Sequence, residues 1–403
     1  MNDKKCGVWI IGALGAISAT VISGAALLRR GLIEPAGMVT ATEIFEGTDL
    51  LPVEHFVFGG CDIRVGSLFN TLRHLASETC AISSELVSAV EDDLHETQSE
   101  IRYGTCRNCG EAIEGMASEP FSAAKPILEE VAEFRELLRS FKARQGLESV
   151  VVVNLASTEP PLAPAASHRD LAVFEESLHG EDSPAVRAST VYAYAAIQEQ
   201  CPYVNFTPST GALIPPLLQL AERMRVPVMG NDGKTGETLI KSTLAPMFLW
   251  RNLQVLSWEG FNMLGNMDGC VLANPENKES KVRTKDQVLS RILGYAPHSR
   301  VRIDYVPSLN DQKTAWDFIH FKGFMGAKMS LQFVWQGYDS LLAAPLVLDL
   351  VRLMELARRR GEYGLMPHLA SYFKAPLGID EYALHSQFGL LMDYIHKVKG
   401  DRA

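Results

Sequence analysis

The sequence predicts an α/β fold, in which a parallel β-sheet has helices on both faces and carries an inserted α+β domain. Along the first 230 residues, short apolar runs that end in glycine, serine or asparagine alternate with helical patterns. Such alternation is typical of parallel strands joined by crossover helices. A lysine-rich stretch with three further strand-like runs follows, and then a long amphipathic helical pattern. The length of 403 residues also favours two domains.

Composition excludes several classes of protein. Hydrophobic residues make up 47% of the chain and charged residues 21%, which excludes a largely disordered or collagen-like chain. The formal net charge of −10 argues against a nucleic-acid binder that relies on bulk positive charge. Seven cysteines are few for a chain of this length and odd in number, which argues against a disulfide scaffold. Reduced thiols and a cytoplasmic location are therefore expected.

The first apolar stretch resembles a membrane segment in composition. Residues 6–28 carry no charge and lie between Lys4-Lys5 and Arg29-Arg30, as in a signal peptide or an N-terminal anchor. We favour a buried strand over GVWIIG, a turn at Gly12 and Gly15, and a helix that ends at the two arginines. The arginines interrupt the run where a signal peptide would lead into a cleavage site, so no membrane association is predicted.

The following elements continue the alternation of strands and helices. Helical patterns occur at 82–103, 125–144, 187–199 and 212–224. Strand-like runs occur at MVTATEIF (38–45), HFVFGG (55–60), SVVVVNLAST (149–158), PYVNFTPSTG (202–211) and RVPVMGNDGKTG (225–236). In parallel sheets, ligands bind beyond the carboxyl ends of the strands, where these polar loops gather. The first part of the chain therefore predicts a dinucleotide-binding, Rossmann-type domain.

The turn after the first strand is the candidate phosphate site. Residues 12–18 (GALGAIS) follow a strand and open a helix, so backbone amides and the positive helix end can hold a pyrophosphate. The turn lacks the full G-x-G-x-x-G spacing and is a weak signal by itself. Glu43 and Asp62 are the candidate ribose ligands. A turn residue or a helix cap is the alternative role of each.

Lysines mark the second region. Residues 6–233 contain two lysines, whereas 234–328 contain eight, which indicates either an anion site or a solvated face. The strand-like runs here are QVLSWEGFNML, RVRIDYVPSL and MSLQFVWQGY, and a long amphipathic helix begins near 340. Several ammonium groups around one site could neutralise a phosphate, polarise a carbonyl and relay protons.

Other motifs give no site. Cys106 and Cys109 form a lone C-x-x-C without further zinc ligands nearby, so we interpret the pair as incidental. The ten histidines show no metal-ligand spacing and no nucleophile elbow is present. Residues 230–238 lack the spacing of a phosphate-binding loop. The residues themselves therefore predict no metal site.

Five ordered segments carry a resemblance to a known family. They are GNDGKTGETLIKSTLAPMF (230–248), FNMLGNMDGCVL (261–272), NKESKVRTK (277–285), PSLNDQKTAWDFIHFKGFMG (307–326) and YDSLLAAPLVLDL (338–350). In content and spacing they resemble the myo-inositol-1-phosphate synthase family, in its archaeal and bacterial form. The resemblance extends from the first strand to SYFKAPLG (371–378). It departs at Leu239, where some members have lysine, and at the glycine turn, which is richer in glycine in many members.

The resemblance implies an NAD-dependent enzyme that converts D-glucose 6-phosphate into 1D-myo-inositol 3-phosphate. The implied steps are oxidation at C5, enolisation, intramolecular aldol closure and re-reduction, without net redox change. It also implies a cytoplasmic homotetramer and leaves assistance by a divalent metal ion or ammonium open. The domains would be 1–235 plus 341–403 for NAD and 236–340 for catalysis and tetramer formation. A related cyclase acting on another sugar phosphate, an NAD-dependent sugar-phosphate dehydrogenase and a nucleotide-binding sensor are the alternatives.

Site residues follow from the resemblance, position by position. The matched catalytic residues are Asp232, Lys281, Lys285, Lys313, Asp339 and Lys374. The matched NAD-contacting residues are Gly12, Ala13, Leu14, Gly15, Ala16, Ile17, Asp62, Asn205, Thr207, Gly230, Asn231, Asp232, Asp311 and Ser340. Lys281, Lys313 and Lys374 are expected to stabilise the enolate. Lys285 is expected to hold the phosphate or the C1 carbonyl oxygen, and Asp339 to pair with a lysine or to relay the C5 hydroxyl proton.

Overall fold

The computed structural model describes residues 4–119, 125–180, 183–274 and 288–401. These residues form two β-sheets with flanking helices. The strands are β1 (Cys6–Ile11), β2 (Phe56–Asp62), β3 (Ile101–Tyr103), β4 (Ser149–Asn154), β5 (Tyr203–Asn205), β6 (Pro227–Gly230), β7 (Gln254–Leu264), β8 (His298–Tyr305), β9 (Gln312–Lys322), β10 (Lys328–Tyr338) and β11 (Gly364–Leu365). The helices are α1 (Ala16–Arg29), α2 (Leu68–Thr79), α3 (Ser84–Ala89), α4 (Glu91–Gln98), α5 (Glu111–Glu114), α6 (Ile127–Arg144), α7 (Leu171–Ser177), α8 (Ala188–Gln198), α9 (Pro215–Met224), α10 (Glu237–Trp250), α11 (Met267–Val271), α12 (288–293), α13 (Asp339–Arg359) and α14 (Leu384–Gly400).

The first sheet has seven parallel strands in the order β11-β6-β5-β4-β1-β2-β3. β1 lies between β2 and β4, so the strand order reverses at β1. A crevice opens at such a switch point beyond the carboxyl ends of the strands, and it is where ligands bind in this class of sheet. The predicted α/β fold with a Rossmann-type sheet is confirmed.

Both faces of this sheet are covered, which explains why its central strands are apolar throughout. Every residue of β1 and β4 is buried. Helices α1 and α13 pack together on one face, and α6 and α8 on the other. On the second face, Trp9 meets Phe141 and Phe134 edge-on at centroid distances of 5.3 and 6.1 Å.

The apolar stretch at 6–28 forms a strand, a turn and a helix, as predicted. β1 is in the sheet centre and α1 ends at Arg29. In the described part of the chain, no helix combines the length and the apolar character needed to span a bilayer.

The second sheet is inserted in the chain between β6 and β11. Its order is β10-β9-β7-β8, with β8 parallel to β7 and the other pairs antiparallel. Residues of α10 and α12 pack on one face around Trp258 and Ile319. The opposite face carries the cross-strand row Arg302, Phe261, Trp316 and Val334, without described helices over it.

Two predicted elements differ from the structure. Residues 38–45 form 3-10 turns instead of a strand, since the amides of Val39 and Thr40 donate to the Asp349 carboxylate (2.6 and 3.1 Å) and not to a neighbouring strand. Glu43 is exposed there and does not line the cavity at the carboxyl edge of the sheet, so the structure does not bring it to the predicted ribose site. The predicted helix at 82–103 divides into α3, α4 and β3.

Asp349 joins α13 to the 38–45 segment and supports a prediction for stability. Burial raises the pKa of its carboxyl to about 6. Between about pH 4 and pH 6, the native protein therefore keeps a proton that the unfolded chain has released. The free energy of unfolding should fall by up to about 3 kcal/mol as the pH rises through this window. The Asp349→Asn variant should lose this component in urea unfolding measured across the window.

The matched control for this experiment is Asp393→Asn, which removes an exposed carboxyl on α14. It should keep the pH dependence of the unmodified protein. An Asp349→Asn variant with an unchanged pH dependence of unfolding would contradict the assignment.

Candidate active site

A cavity of about 600 Å³ lies at the carboxyl edge of the parallel sheet. The turns after β1, β2, β4 and β5 line it from the first sheet. Residues 265–268, Tyr305 and Asp311 line it from the second sheet, and Lys374 from the C-terminal segment. The cavity therefore joins the nucleotide-type switch point to residues of the insertion.

The glycine turn allows close backbone approach at the switch point. Gly12 has a φ of +82°, and a Cβ there would lie 2.9 Å from Ala156 Cα. The amides of Gly12 and Ala13 donate to the Cys61 carbonyl (2.9 and 3.0 Å). No side chain caps the start of α1, and its first-turn residues line the cavity. Amides at this helix end are suited to a pyrophosphate, as predicted from the turn.

Asp62 ends β2 beside this turn. The Leu14 amide donates to its Oδ2 (2.9 Å), while the Arg64 amide and Nε donate to its Oδ1 (3.0 and 3.1 Å). A buried carboxylate at the end of the second strand is suited to the ribose hydroxyls of NAD. The turn, the helix end and Asp62 together fit a dinucleotide.

At another part of the cavity wall, Asp232 and Lys374 form a buried ion pair. Lys374 Nζ donates to Asp232 Oδ1 (2.7 Å), and both residues are less than 5% exposed. Their backbones are also paired, since the Lys374 amide donates to the Asp232 carbonyl (2.7 Å) and the Asn231 amide to the Ala375 carbonyl (2.9 Å). The pairing holds an ammonium group and a carboxylate in the cavity wall.

A second lysine, Lys313, lies beside an acidic residue at the start of α13, Asp339. Lys313 Nζ on β9 lies 3.6 Å from Asp339 Oδ1, which also accepts a hydrogen bond from Thr235 Oγ1 (3.0 Å). Ser340 donates its amide (3.2 Å) and hydroxyl (2.6 Å) to Asp311 Oδ2. Burial, with a smaller contribution from the Asp339 charge, raises the pKa of Asp311 to about 6.

Lys234 is a further buried lysine near the site, although it does not line the cavity itself. It is buried, and its Nζ donates to Gln387 Oε1 on α14. Burial, with the nearby Lys374 charge, lowers its pKa to about 7. The sequence signal was limited to membership of the lysine-rich stretch. Sequence reasoning missed residues 266–268 as site residues: they line the cavity, and their segment had been used only for the family resemblance.

The structure brings most of the predicted site residues together. Those that line the cavity are Gly12, Leu14, Gly15, Ala16, Ile17, Asp62, Thr207, Asp232, Asp311, Asp339 and Lys374. Those outside the cavity lining are Ala13, Asn205, Gly230, Asn231, Lys313 and Ser340, of which Asn205 supports Asn231 by donating to its Oδ1 (2.8 Å). Lys281 and Lys285 lie outside the described residues.

The thiols and acids do not form a metal cluster in the part of the chain that the structure describes. Cys106 and Cys109 are buried, and burial raises the pKa of Cys106 to about 11. Assistance by a divalent metal ion or ammonium stays a prediction.

Comparison with known proteins identifies the family. An NAD-binding family model described as Myo-inositol-1-phosphate synthase matches residues 6–395. The chain belongs to the myo-inositol-1-phosphate synthase family. Inositol-3-phosphate synthase 1 of Bacteroides thetaiotaomicron is 32% identical, over 99% of this chain and 96% of that protein. Inositol-3-phosphate synthase of Drosophila melanogaster is 37% identical over 58% of this chain and 42% of its own length.

Solved structures agree with this myo-inositol-1-phosphate synthase assignment. A Thermotoga maritima myo-inositol-1-phosphate synthase-related protein has a TM-score of 0.79 at 26% identity, over 97% of this chain and 98% of its own. Inositol-3-phosphate synthase of Caenorhabditis elegans shares the fold, with a TM-score of 0.88 at 24% identity over 98% of this chain and 86% of its own. The predicted family and the prediction of NAD as cofactor are confirmed.

The Asp232–Lys374 pair of this family member supports a stability prediction. Lys374→Met removes the cation that lies 2.7 Å from a buried carboxylate. The free energy of unfolding should fall by about 3–5 kcal/mol in denaturant titrations. Adding Asp232→Asn removes the charge as well, so the double variant should recover at least half of the loss.

The control variant is Lys397→Met, at an exposed position on α14, and it should unfold like the unmodified protein. Equal stabilities for Lys374→Met and Lys397→Met would show that the ion pair contributes nothing to folding.

Proposed function

We propose that this protein converts D-glucose 6-phosphate into 1D-myo-inositol 3-phosphate in a redox-neutral cycle with NAD retained throughout. One observation carries the proposal: a single cavity contains both the dinucleotide-fitting turn with Asp62 and the buried Asp232–Lys374 pair. Family membership supports the reaction and makes the protein an isomerase of the intramolecular lyase type.

Bound at the glycine turn and Asp62, NAD would supply a hydride acceptor for C5 and a hydride donor for the final reduction of the ring. The residues of this chain supply the remaining chemistry. A C5 ketone acidifies the neighbouring C6–H, and ammonium groups beside the resulting enolate oxygen stabilise its charge. Lys374, which lines the cavity, is our first candidate for this role among the described residues. Lys313, whose partner Asp339 lines the cavity, is the second, and Lys281 is the third. Lys285 would hold the phosphate or the C1 carbonyl oxygen during ring closure.

The acidic partners would position these lysines. Asp232 accepts from Lys374 Nζ, so it orients the ammonium group in the cavity wall. Asp339 lies between Thr235 and Lys313. We assign to Asp339 the orientation of Lys313 and the relay of the C5 hydroxyl proton.

Lys313→Met tests whether the Lys313 ammonium group takes part in the reaction. The variant should lower the rate of cyclitol phosphate formation by about 100-fold or more, because an ammonium group near the enolate is lost. Its dissociation constant for NAD should stay within about threefold of the unmodified protein. The assay incubates glucose 6-phosphate with NAD, separates cyclitol phosphates from the remaining sugar and follows reduced nicotinamide by absorbance.

Lys322→Met, on the same strand at its other end, is the control and should keep full turnover. Continuous growth of reduced nicotinamide absorbance would establish a sugar-phosphate dehydrogenase instead. Full turnover by Lys313→Met would refute its catalytic role.

We further assign residues 1–235 plus 341–403 to an NAD-binding domain and 236–340 to a catalytic and tetramerisation domain. The face of the second sheet that carries Arg302, Phe261, Trp316 and Val334 supports assembly, because no helix among the described residues lies over it. There, Phe261 and Trp316 stack at a centroid distance of 5.2 Å, and Val334 is 61% exposed. Apolar side chains in a row on one sheet face are typical of a surface that becomes buried on association.

All seven cysteines are free, which supports a cytoplasmic location.

The assembly proposal is tested by the mass in solution. Light scattering after size exclusion should give about four times the chain mass of 44.3 kDa. Trp316→Glu with Val334→Glu should give a smaller species, since two charges would have to be buried in the interface. Val173→Glu, at a position of α7 that is 46% exposed, should leave the mass unchanged. A tetrameric double variant would place the interface elsewhere.

A further inference from the structure

The carboxyl end of β2 carries an acidic and a basic side chain, and each of these residue types favours a different dinucleotide, NAD or NADP. A carboxylate at this place in Rossmann folds accepts from the ribose 2′-hydroxyl of NAD, whereas a nearby arginine accommodates the 2′-phosphate of NADP. This chain has both groups two residues apart, Asp62 and Arg64, and both line the cavity.

The two side chains are bound to each other. Arg64 Nε lies 3.1 Å from Asp62 Oδ1, and Arg64 donates a second bond through its NH2 group to Oδ2 (3.2 Å). The Leu14 amide of the glycine turn also donates to Oδ2 (2.9 Å). Asp62 is 5% exposed, whereas the Arg64 side chain is 34% exposed. The carboxylate is therefore fixed beside the turn, and the guanidinium covers it from the more open side.

The other charged residues near Asp62 are poorer phosphate ligands than Arg64. His74 and Glu78 of α2 also line the cavity, and they lie 3.6 Å from each other at one turn's spacing. Thr71, on the same helix, donates to the Leu14 carbonyl (3.3 Å), so α2 is attached to the glycine turn. A histidine beside a glutamate is a weaker phosphate ligand than a guanidinium with several donors.

We propose that Asp62 and Arg64 together set the preference for NAD over NADP, with Arg64 as a latent 2′-phosphate ligand that Asp62 keeps engaged. A 2′-phosphate at this position would meet the Asp62 charge. It would also have to take Arg64 away from two charge-assisted hydrogen bonds before gaining any of its own. Removal of the carboxylate alone removes the repulsion and frees the guanidinium. The inference rests on NAD binding at this turn, as in the proposed function, and is independent of the sugar phosphate.

The experiment measures dissociation constants for NAD and NADP by isothermal titration calorimetry in the absence of sugar phosphate. The unmodified protein should favour NAD by about 100-fold or more. Asp62→Ser should weaken NAD and strengthen NADP by about 10-fold each, which shifts the ratio by about 100-fold. Asp62→Ser with Arg64→Ala should lose the gain for NADP, and Arg64→Ala alone should not improve NADP binding.

Two further variants make the result decisive. Asp62→Asn keeps an oxygen that can accept from the Leu14 amide, so it takes the place of Asp62→Ser if that variant does not fold. Arg73→Ala is the control, because this arginine packs over Phe69 of the same helix, 5.9 Å from the ring centroid, and does not line the cavity. It should leave both constants unchanged.

The outcomes separate this inference from the proposed function. Equal NADP affinity in Asp62→Ser and in the double variant would overturn the role of Arg64, and an unchanged ratio in Asp62→Ser would overturn the role of both residues. A protein that shows the expected shifts but forms no cyclitol phosphate would refute the proposed reaction and leave the cofactor inference standing.

Discussion

Burial of cationic side chains beside carboxylates is the constraint on which the site depends. An ammonium group taken out of water is destabilised unless an opposite charge and hydrogen bonds compensate. Lys374 meets Asp232 at 2.7 Å and Lys313 meets Asp339 at 3.6 Å. Both pairs join segments that are distant in the chain. The same contacts that hold the charges therefore also hold the C-terminal segment and β9 in place.

The insertion of the second sheet explains why these charges meet. The chain leaves the parallel sheet after β6, through residues 231–236, and returns at the start of α13. A hydrogen bond from Thr235 to Asp339 (3.0 Å) connects these two crossings. Both crossings therefore lie at the carboxyl edge of the parallel sheet. Lys313, at the start of β9, is brought to the same place because it pairs with the second crossing.

Local patterns made much of the fold predictable, and long-range contacts account for the failures. β1 and β4 could be located because both are continuously apolar, as expected for strands covered on both faces. Residues 38–45 show similar apolar and β-branched composition, but their amides are bound by Asp349, about 310 residues away. No local pattern contains that partner. The ion pair between Asp232 and Lys374 was likewise beyond sequence periodicity, and only the family resemblance indicated both residues.

The roles proposed above separate cofactor selection from the chemistry at the sugar. Asp62 and Arg64 lie at the carboxyl end of β2, whereas Lys374 is held by the loop after β6 and Lys313 by the start of α13. A redox-neutral cycle needs both, because the nicotinamide must stay bound while lysines act on an enolate. The cofactor contacts lie on the parallel sheet, whereas the lysines lie on the insertion and the C-terminal segment. Substitutions in one group of residues can therefore occur without changing the positions of the other group. In the proposed mechanism the parallel sheet would position the nicotinamide, and the two crossings would hold the lysines relative to it.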